Sequence, residues 1–487
     1  MTNIDWDHIQ PAKPLNNPIA HQLGPFSVLT LTFTVPLRHT NPTNTSSITL
    51  KADLLYASTS HPCTASPPPT DWPALTSWLA NQRVLAYLCG GPGDKNPSDA
   101  VPPLNENLLR RGFVVLFLDY RGTGGSSPIN VDTAKGWKDA EEGREYLNCF
   151  LQDSIVADLE AVRLCLGVEG WEVLGQSYGG WIATTYLSFL GRGLRGVYIT
   201  GGVPPVGKSA VEVYRALYQR VRRGNEEYYG MFGGDGERVK RVTKWLHENE
   251  APMYKGQKLT ARGFLTMGRR LGGGEEAYRT MHQLVEGLED SIREYGGITQ
   301  DAIDKFWEAG GTGFKLPSRP LYAVLHEAIY CDGHSPSPRW AAHRVGNGTE
   351  TSEGNPGREF SWLQDGFNFS AHSEPVLYFA GEAIFPFMLE EAELGCFVGA
   401  ANALANQTHW RNLYDPDRLW ENTVPVKAVA YKHDVYVDRD FSEETVNIIG
   451  AGELAKDVPD DWLHTSLKKG RTDELCERLF GPMPGSD

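Results

Sequence analysis

The chain has 487 residues, 40% hydrophobic and 22% charged, and its 46 basic against 61 acidic residues leave a formal net charge of −15. That is apolar material for one large core or two moderate ones, and too much for a disordered chain. The acidic balance argues against nucleic acid or a membrane surface as the main partner, since both would be repelled at long range.

The N-terminus, Met1 to Asp7, has neither a basic start nor an apolar run, so no secretory signal is read there and a cytoplasmic location is expected. No stretch approaches the roughly 20 apolar residues of a membrane-spanning helix. Seven cysteines, widely scattered and without a CxxC pair, read as reduced thiols rather than a disulfide framework or a zinc site. Sequons at Asn44, Asn347, Asn368 and Asn406 read as chance matches.

In chain order, Phe26 to Tyr56 alternates apolar and polar residues in two runs broken at Arg38–Ser47, which predicts two antiparallel strands and a loop. His61–Trp72, rich in Pro, Ser and Thr, reads as an exposed connection. Val84–Cys89 and Phe113–Leu118 are short continuous apolar runs, as expected of strands buried on both faces. Next comes a helical stretch with Ile155, Leu159, Val162 and Leu166 on one face. A strand at Trp171–Leu174, a helix at Tyr178–Leu190 and a strand at Val197–Thr200 follow. This alternation predicts a mostly parallel sheet with helices on both faces.

From about Pro205 to Gly357 the strand rhythm stops. Tyr214–Arg223, Arg238–Glu248, Ala277–Glu294 and Trp340–His343 read as helical, the mark of an insertion. Val424–Tyr431 is read as the last strand and Asp473–Phe480 as a closing helix. The expected division is core at 1–204, helical cap at 205–375 and core again at 376–487.

The strongest chemical signal is Gly175-Gln176-Ser177-Tyr178-Gly179-Gly180, lying between a strand and a helix. This is the G-x-S-x-G elbow in the context it requires, with a tight turn that presents the serine hydroxyl at the sheet's C-terminal edge. The plain alternative is a glycine-rich turn. With the α/β pattern and the insertion, the elbow points to an α/β-hydrolase fold with Ser177 as nucleophile. Gly90-Gly91-Pro92-Gly93, after an earlier buried strand, can bring backbone N–H groups to an oxyanion. The expected donors are Gly91 and Tyr178. A phosphate loop is discounted because the G-x-x-x-x-G-K-[ST] spacing is missing. Asp119–Ser126 reads as a structural turn walling the site.

In this fold the acid and then the base follow the serine. Of the 13 histidines only His433 and His464 lie beyond Val424–Tyr431. His464, in a loop before the closing helix, is the expected base. Asp434, directly after the strand, is preferred as the acid over Asp438 and Asp440, and His433 adjoins it too closely to orient against it.

Together these stretches resemble the proline iminopeptidases (prolyl aminopeptidases) of the α/β-hydrolase superfamily, especially their longer fungal-type members. The likeness runs from about residue 80 to the end. It includes Gly90–Gly93, Asp119–Ser126, Gly175–Pro205, His326-Glu327-Ala328-Ile329-Tyr330-Cys331, Gly381-Glu382-Ala383-Ile384-Phe385-Pro386, Asp434–Asp438 and Leu463–Leu467. Cys89 stands where the family usually has histidine, and Lys432-His433 where related proteins carry smaller or acidic residues. The resemblance implies a serine aminopeptidase that releases N-terminal proline or a similar small residue and needs neither metal nor organic cofactor. It also implies that Glu327 and Glu382 bind the substrate's free amine by charge-assisted hydrogen bonds. Trp181 or Phe385 could line an apolar pocket for a prolyl ring. The expected partner is a peptide, or a small amide or ester with a free amine, and a homo-oligomer is left open. The alternatives kept are an esterase, amidase or biosynthetic hydrolase using the same triad, and a non-catalytic binding protein on the same scaffold. An epoxide or haloalkane hydrolase is disfavoured because it would need aspartate at the elbow.

Overall fold

The structure, a computed structural model, describes residues 3–40, 46–57, 67–312, 318–350, 358–374, 376–390, 394–468 and 470–484. Asn44, Cys63, half of the 38–47 loop and half of the 61–72 connection lie outside them.

Ten strands form one sheet: β1 (Lys13–Pro14), β2 (Ile19–Leu23), β3 (Phe26–Pro36), β4 (Ser47–Tyr56), β5 (Arg83–Leu88), β6 (Phe113–Leu118), β7 (Trp171–Gln176), β8 (Leu194–Thr200), β9 (Val426–Val429) and β10 (Gly452–Leu454). The order is β1-β3-β4-β6-β5-β7-β8-β9-β10, with β2 also paired to β3. The N-terminal strands pair antiparallel, with burial alternating along much of β3, whereas β5 to β10 pair parallel. All six residues of β6 are buried, because helices cover both faces of a parallel sheet. One expectation is corrected: Val424–Tyr431 is not the last strand, since Gly452–Leu454 adds to the sheet beside β9. Three residues between turns carry too little periodicity to be read.

After β8 the chain leaves the sheet. The helices Ala210–Met231, Asp235–Glu248 and Gly274–Tyr295 build a second apolar cluster around Tyr218, Val242, Met281 and Val285. Ser209 starts the first of them with a capping box closed by Glu212, and the left-handed Gly296 ends the third. Leu377, Phe379, Phe385, Ala400, Leu404 and Trp410 join the same cluster, so residues beyond 375 still pack with the helical part. Tyr330 sits at the rim of both clusters. No helix among the described residues is long and apolar enough to cross a membrane.

The Asp119–Ser126 turn is pinned within the sheet-bearing part. Asp119 accepts from the N–H groups of Asn96 and Gly125, and Arg121, fully buried, bonds Asp158 through two nitrogens at 2.6 Å each. Arg121 also donates to the carbonyls of Pro36, Leu37 and Cys149.

Candidate active site

Ser177 stands between β7 and the helix Tyr178–Leu190 with φ 55° and ψ −127°, a conformation that costs a non-glycine residue about 1–3 kcal/mol. The surroundings hold it there. Its N–H donates to Thr200 O at 3.1 Å, and its carbonyl accepts from Gly180 N–H at 2.8 Å. A Cβ on Gly175 would lie 2.6 Å from the Gly179 carbonyl oxygen, and one on Gly202 would collide with the Ser177 carbonyl. The loop after β5 passes close by, for a Cβ on Gly90 would sit 3.1 Å from that of Ser177. Gly91 follows at φ 144°, a region suited to glycine. Tyr178 is the first helical residue, so its N–H has no acceptor within the helix and lies at the positive end of the helix dipole. Cys89 is buried, and burial pushes its thiol up to about 12, so it stays protonated.

Asp434 follows β9 and His464 follows β10, both at strand C-terminal ends like Ser177, the edge where ligands bind in such sheets. His464 Nδ1 bonds Asp434 Oδ2 at 2.7 Å, and the two residues are only 8% and 3% exposed. The other oxygen, Oδ1, accepts from the N–H groups of Tyr436 (2.8 Å) and Val437 (3.1 Å), which fixes the carboxylate plane. Burial alone would lower the imidazole pKa. The Asp434 charge and hydrogen bond, with the more distant Glu382, outweigh it and raise it above the ordinary histidine value. The ring lies against Gly201, and the neighbouring Gly202 against Ser177, so the imidazole and the elbow share one wall. His433 is exposed. Asp438 instead caps the helix Arg439–Asn447 and pairs with Arg220, while Asp440 is exposed.

The two glutamates differ. Glu382 Oε1 accepts from Arg269 Nε at 3.1 Å and from the Tyr322 hydroxyl at 2.5 Å. Burial would raise its carboxyl pKa, but Arg269, His326 and Tyr322 hold it below the ordinary value, so it is a carboxylate. Glu327, 7% exposed, accepts from Ala342 N–H at 3.1 Å, and burial pushes it up to about 7. Its Oε2 and both ring nitrogens of His326 are buried without a hydrogen-bond partner among the described residues. The buried Tyr214 hydroxyl is likewise unpartnered, and the charges of both Glu327 and Glu382 bear on it and on Tyr330.

Trp181 and Tyr330 meet edge to face at 6.4 Å and wall a cleft of about 340 Å³ that also involves Lys208, Asp332 and His334. Phe385 is not at that cleft; it is fully buried in the cap against Phe387 and Trp362. Arg269 and Tyr322 are not legible in the sequence, since nothing in the local pattern singles them out, and Tyr436 sat inside the quoted Asp434–Asp438 stretch without being given a role. His326 and Tyr330 sat inside a quoted motif without being given a role.

A family model described as the α/β-hydrolase fold matches residues 84–227. The proline iminopeptidase of Aeromonas sobria is 33% identical over 453 residues, covering 92% of this chain and 94% of that protein. A proline iminopeptidase of Aspergillus aculeatus is 30% identical over 406 residues, covering 81% and 84%. Among solved structures, the proline iminopeptidase of Mycobacterium smegmatis covers 93% of each chain at 15% identity, with a TM-score of 0.34.

Proposed function

Because the chain belongs to the proline iminopeptidase family of α/β-hydrolases, we propose that it is a serine aminopeptidase that removes N-terminal proline, or a similar small residue, from peptides. The observation that carries the reading is the 2.7 Å Asp434–His464 bond beside a strained Ser177 elbow. Ser177 Oγ attacks the carbonyl carbon of the first residue while its proton passes to His464. Asp434 holds the imidazole tautomer and stabilises the imidazolium. The oxyanion is held by the N–H groups of Tyr178 and Gly91. The C–N bond then breaks as His464 protonates the leaving amine. Water attacks the acyl-enzyme, gives its proton to His464, and Ser177 regains a hydrogen as the free amino acid departs.

Glu382, a carboxylate whose charge bears on His464, takes the substrate ammonium, and the charge of Glu327 bears on the same Tyr214 and Tyr330. One observation favours a second reading. Glu382 already has Arg269 as a counter-charge, so an esterase or amidase with no need for a free amine would also be served by this site.

The test is hydrolysis of Pro-, Ala- and N-acetyl-Pro-arylamides, with Ser177→Ala as control. The expected result is preference for free Pro-arylamide, lost on acetylation, and a fall in kcat of at least about 10³-fold in Ser177→Ala with no loss of Tm. Cleavage indifferent to acetylation moves the function to the second reading. Near wild-type activity in Ser177→Ala removes the serine mechanism altogether.

A further inference from the structure

The loop from Asp434 to Asp438 carries the proposed catalytic acid, and it is held from above by the helical cap at two points. The Tyr436 hydroxyl donates to the Arg269 carbonyl at 2.7 Å, and its ring packs 4.7 Å from the His464 ring. The second point is ionic. Arg220, in the helix Ala210–Met231, reaches down and pairs through Nη1 with Asp438 Oδ2. Both side chains are mostly covered, at 12% and 18% exposure. The other oxygen of Asp438 accepts from the N–H groups of Asp440 (2.9 Å) and Phe441 (3.1 Å), so one carboxylate joins the cap to the start of the helix Arg439–Asn447.

For stability alone this arrangement is poor. Arg220 Nε and Nη2 are buried without hydrogen-bond partners among the described residues. A buried guanidinium so incompletely satisfied costs more than a well-packed apolar side chain of similar size. Its counter-charges are Asp438 first and Asp434 second, the two carboxylates that bound the acid loop. Asp434 has no freedom to spare, since Oδ1 takes two backbone N–H groups of that loop and Oδ2 takes His464. A shift of residues 436–438 therefore swings the carboxylate plane away from the imidazole.

We propose that Arg220 is a positioning residue for the triad: through Asp438 it fixes the 434–438 loop and aims Asp434 at His464, so that the base is assembled only when the cap helix is seated. This rests on the reading of Ser177, His464 and Asp434 as the catalytic groups.

The experiment uses the full-length protein carrying Arg220→Gln, Arg220→Lys or Asp438→Asn, with Ser177→Ala alongside. For each, kcat and KM for Pro-arylamide are measured across pH, together with Tm. Asparagine keeps the acceptor that caps the helix, so Asp438→Asn removes the ion pair and little else. Loss of positioning should lower kcat on the order of 10- to 100-fold in Arg220→Gln and Asp438→Asn, with KM little changed. Arg220→Lys, which keeps the charge, should recover much of the loss.

The pH profile separates positioning from general loosening. The groups facing His464 are Asp434 and Tyr436 on the acid loop, Tyr431 just after β9, Glu382 with its partner Arg269 from the cap, and Lys468 on its own loop, while the Arg220–Asp438 pair lies at the far end of the acid loop. In either variant the shifted loop takes the Asp434 charge and hydrogen bond away from the imidazole, the two things that raise its pKa, so the acid limb of kcat/KM moves to lower pH in both. A downward shift in both with parallel losses of kcat supports the proposal. Unchanged kcat in folded Arg220→Gln and Asp438→Asn, or limbs that move in opposite directions as the removed charges alone would drive them, overturns it. If Arg220→Gln does not fold, Arg220→Lys and Asp438→Asn carry the same test. Should Ser177→Ala prove active, the triad reading itself has failed, which is a different result from an inactive Ser177→Ala beside an unimpaired Arg220→Gln.

Discussion

Glu327 and Glu382 come from similar-looking motifs, yet the structure gives them opposite electrostatics. Glu382 has Arg269 and Tyr322 at one oxygen and remains a carboxylate. Glu327 has only backbone donors and is pushed by burial from 4.5 up to about 7. An acid whose folded pKa exceeds its unfolded one holds its proton more tightly when native, so stability falls as pH rises from 4.5 through about 7. Glu327→Gln keeps the acceptor for Ala342 N–H and cannot ionise. It should therefore match wild type near pH 4.5 and be more stable by about 3 kcal/mol at pH 8, as read by denaturant titration at the two pH values. A variant destabilised equally at both would show that the Glu327 charge is compensated. If Glu327 also meets the substrate amine, KM for Pro-arylamide rises in the same variant.

At the scale of elements, the site depends on how closely one helix approaches the sheet. In Tyr178–Leu190 a Cβ on Gly180 would collide with the Gly202 carbonyl and lie 2.7 Å from Ile199 Cγ2. Backbone cannot rotate away as a side chain can. Gly180→Ala should therefore lower Tm, because overpacking of about 1–3 kcal/mol outweighs the roughly 1 kcal/mol that alanine gains in a helix. Gly287→Ala is the control: Gly287 lies exposed within Gly274–Tyr295 with nothing within 4 Å of its Cβ position, so Tm should rise. The segment 377–385 illustrates the converse. Its apolar run Leu377-Tyr378-Phe379-Ala380 looks like a returning strand, yet it joins no sheet. Its backbone is satisfied by the cap. Tyr378 N–H donates to Glu359 O (3.0 Å) and Ala380 N–H to Leu265 O (2.9 Å), and Asn225 bonds both the N–H and the carbonyl of Phe379.

For the whole molecule, one apolar cluster surrounds the sheet and another builds the cap, with Tyr330 at the rim of both. Ser177, Asp434 and His464 follow sheet strands, while Glu327 and Glu382 lie in cap segments. Phe379, fully buried among Tyr228, Tyr229 and Phe264, anchors the strand of chain that presents Glu382. Phe379→Ala should cost about 3–5 kcal/mol in urea denaturation. A loss below about 1 kcal/mol would mean that the cap repacks freely and does not hold Glu382 rigidly.

The sequence by itself determined the sheet's buried strands, the elbow at Ser177, and the pairing of Asp434 with His464, because each is written locally: in continuous apolar runs, in glycines around a serine, and in chain order after strands. The β10 strand escaped notice because three residues carry no period. Only the tertiary structure decided that Asp438 belongs to Arg220, that Arg269 and Tyr322 surround Glu382, and that Phe385 is core rather than pocket wall. Those facts depend on which surfaces distant segments bury against one another. Arg269 and Glu382 are separated by 113 positions and Arg220 and Asp438 by 218, spans over which neither periodicity nor spacing carries information, since only the packed cap brings the charges together.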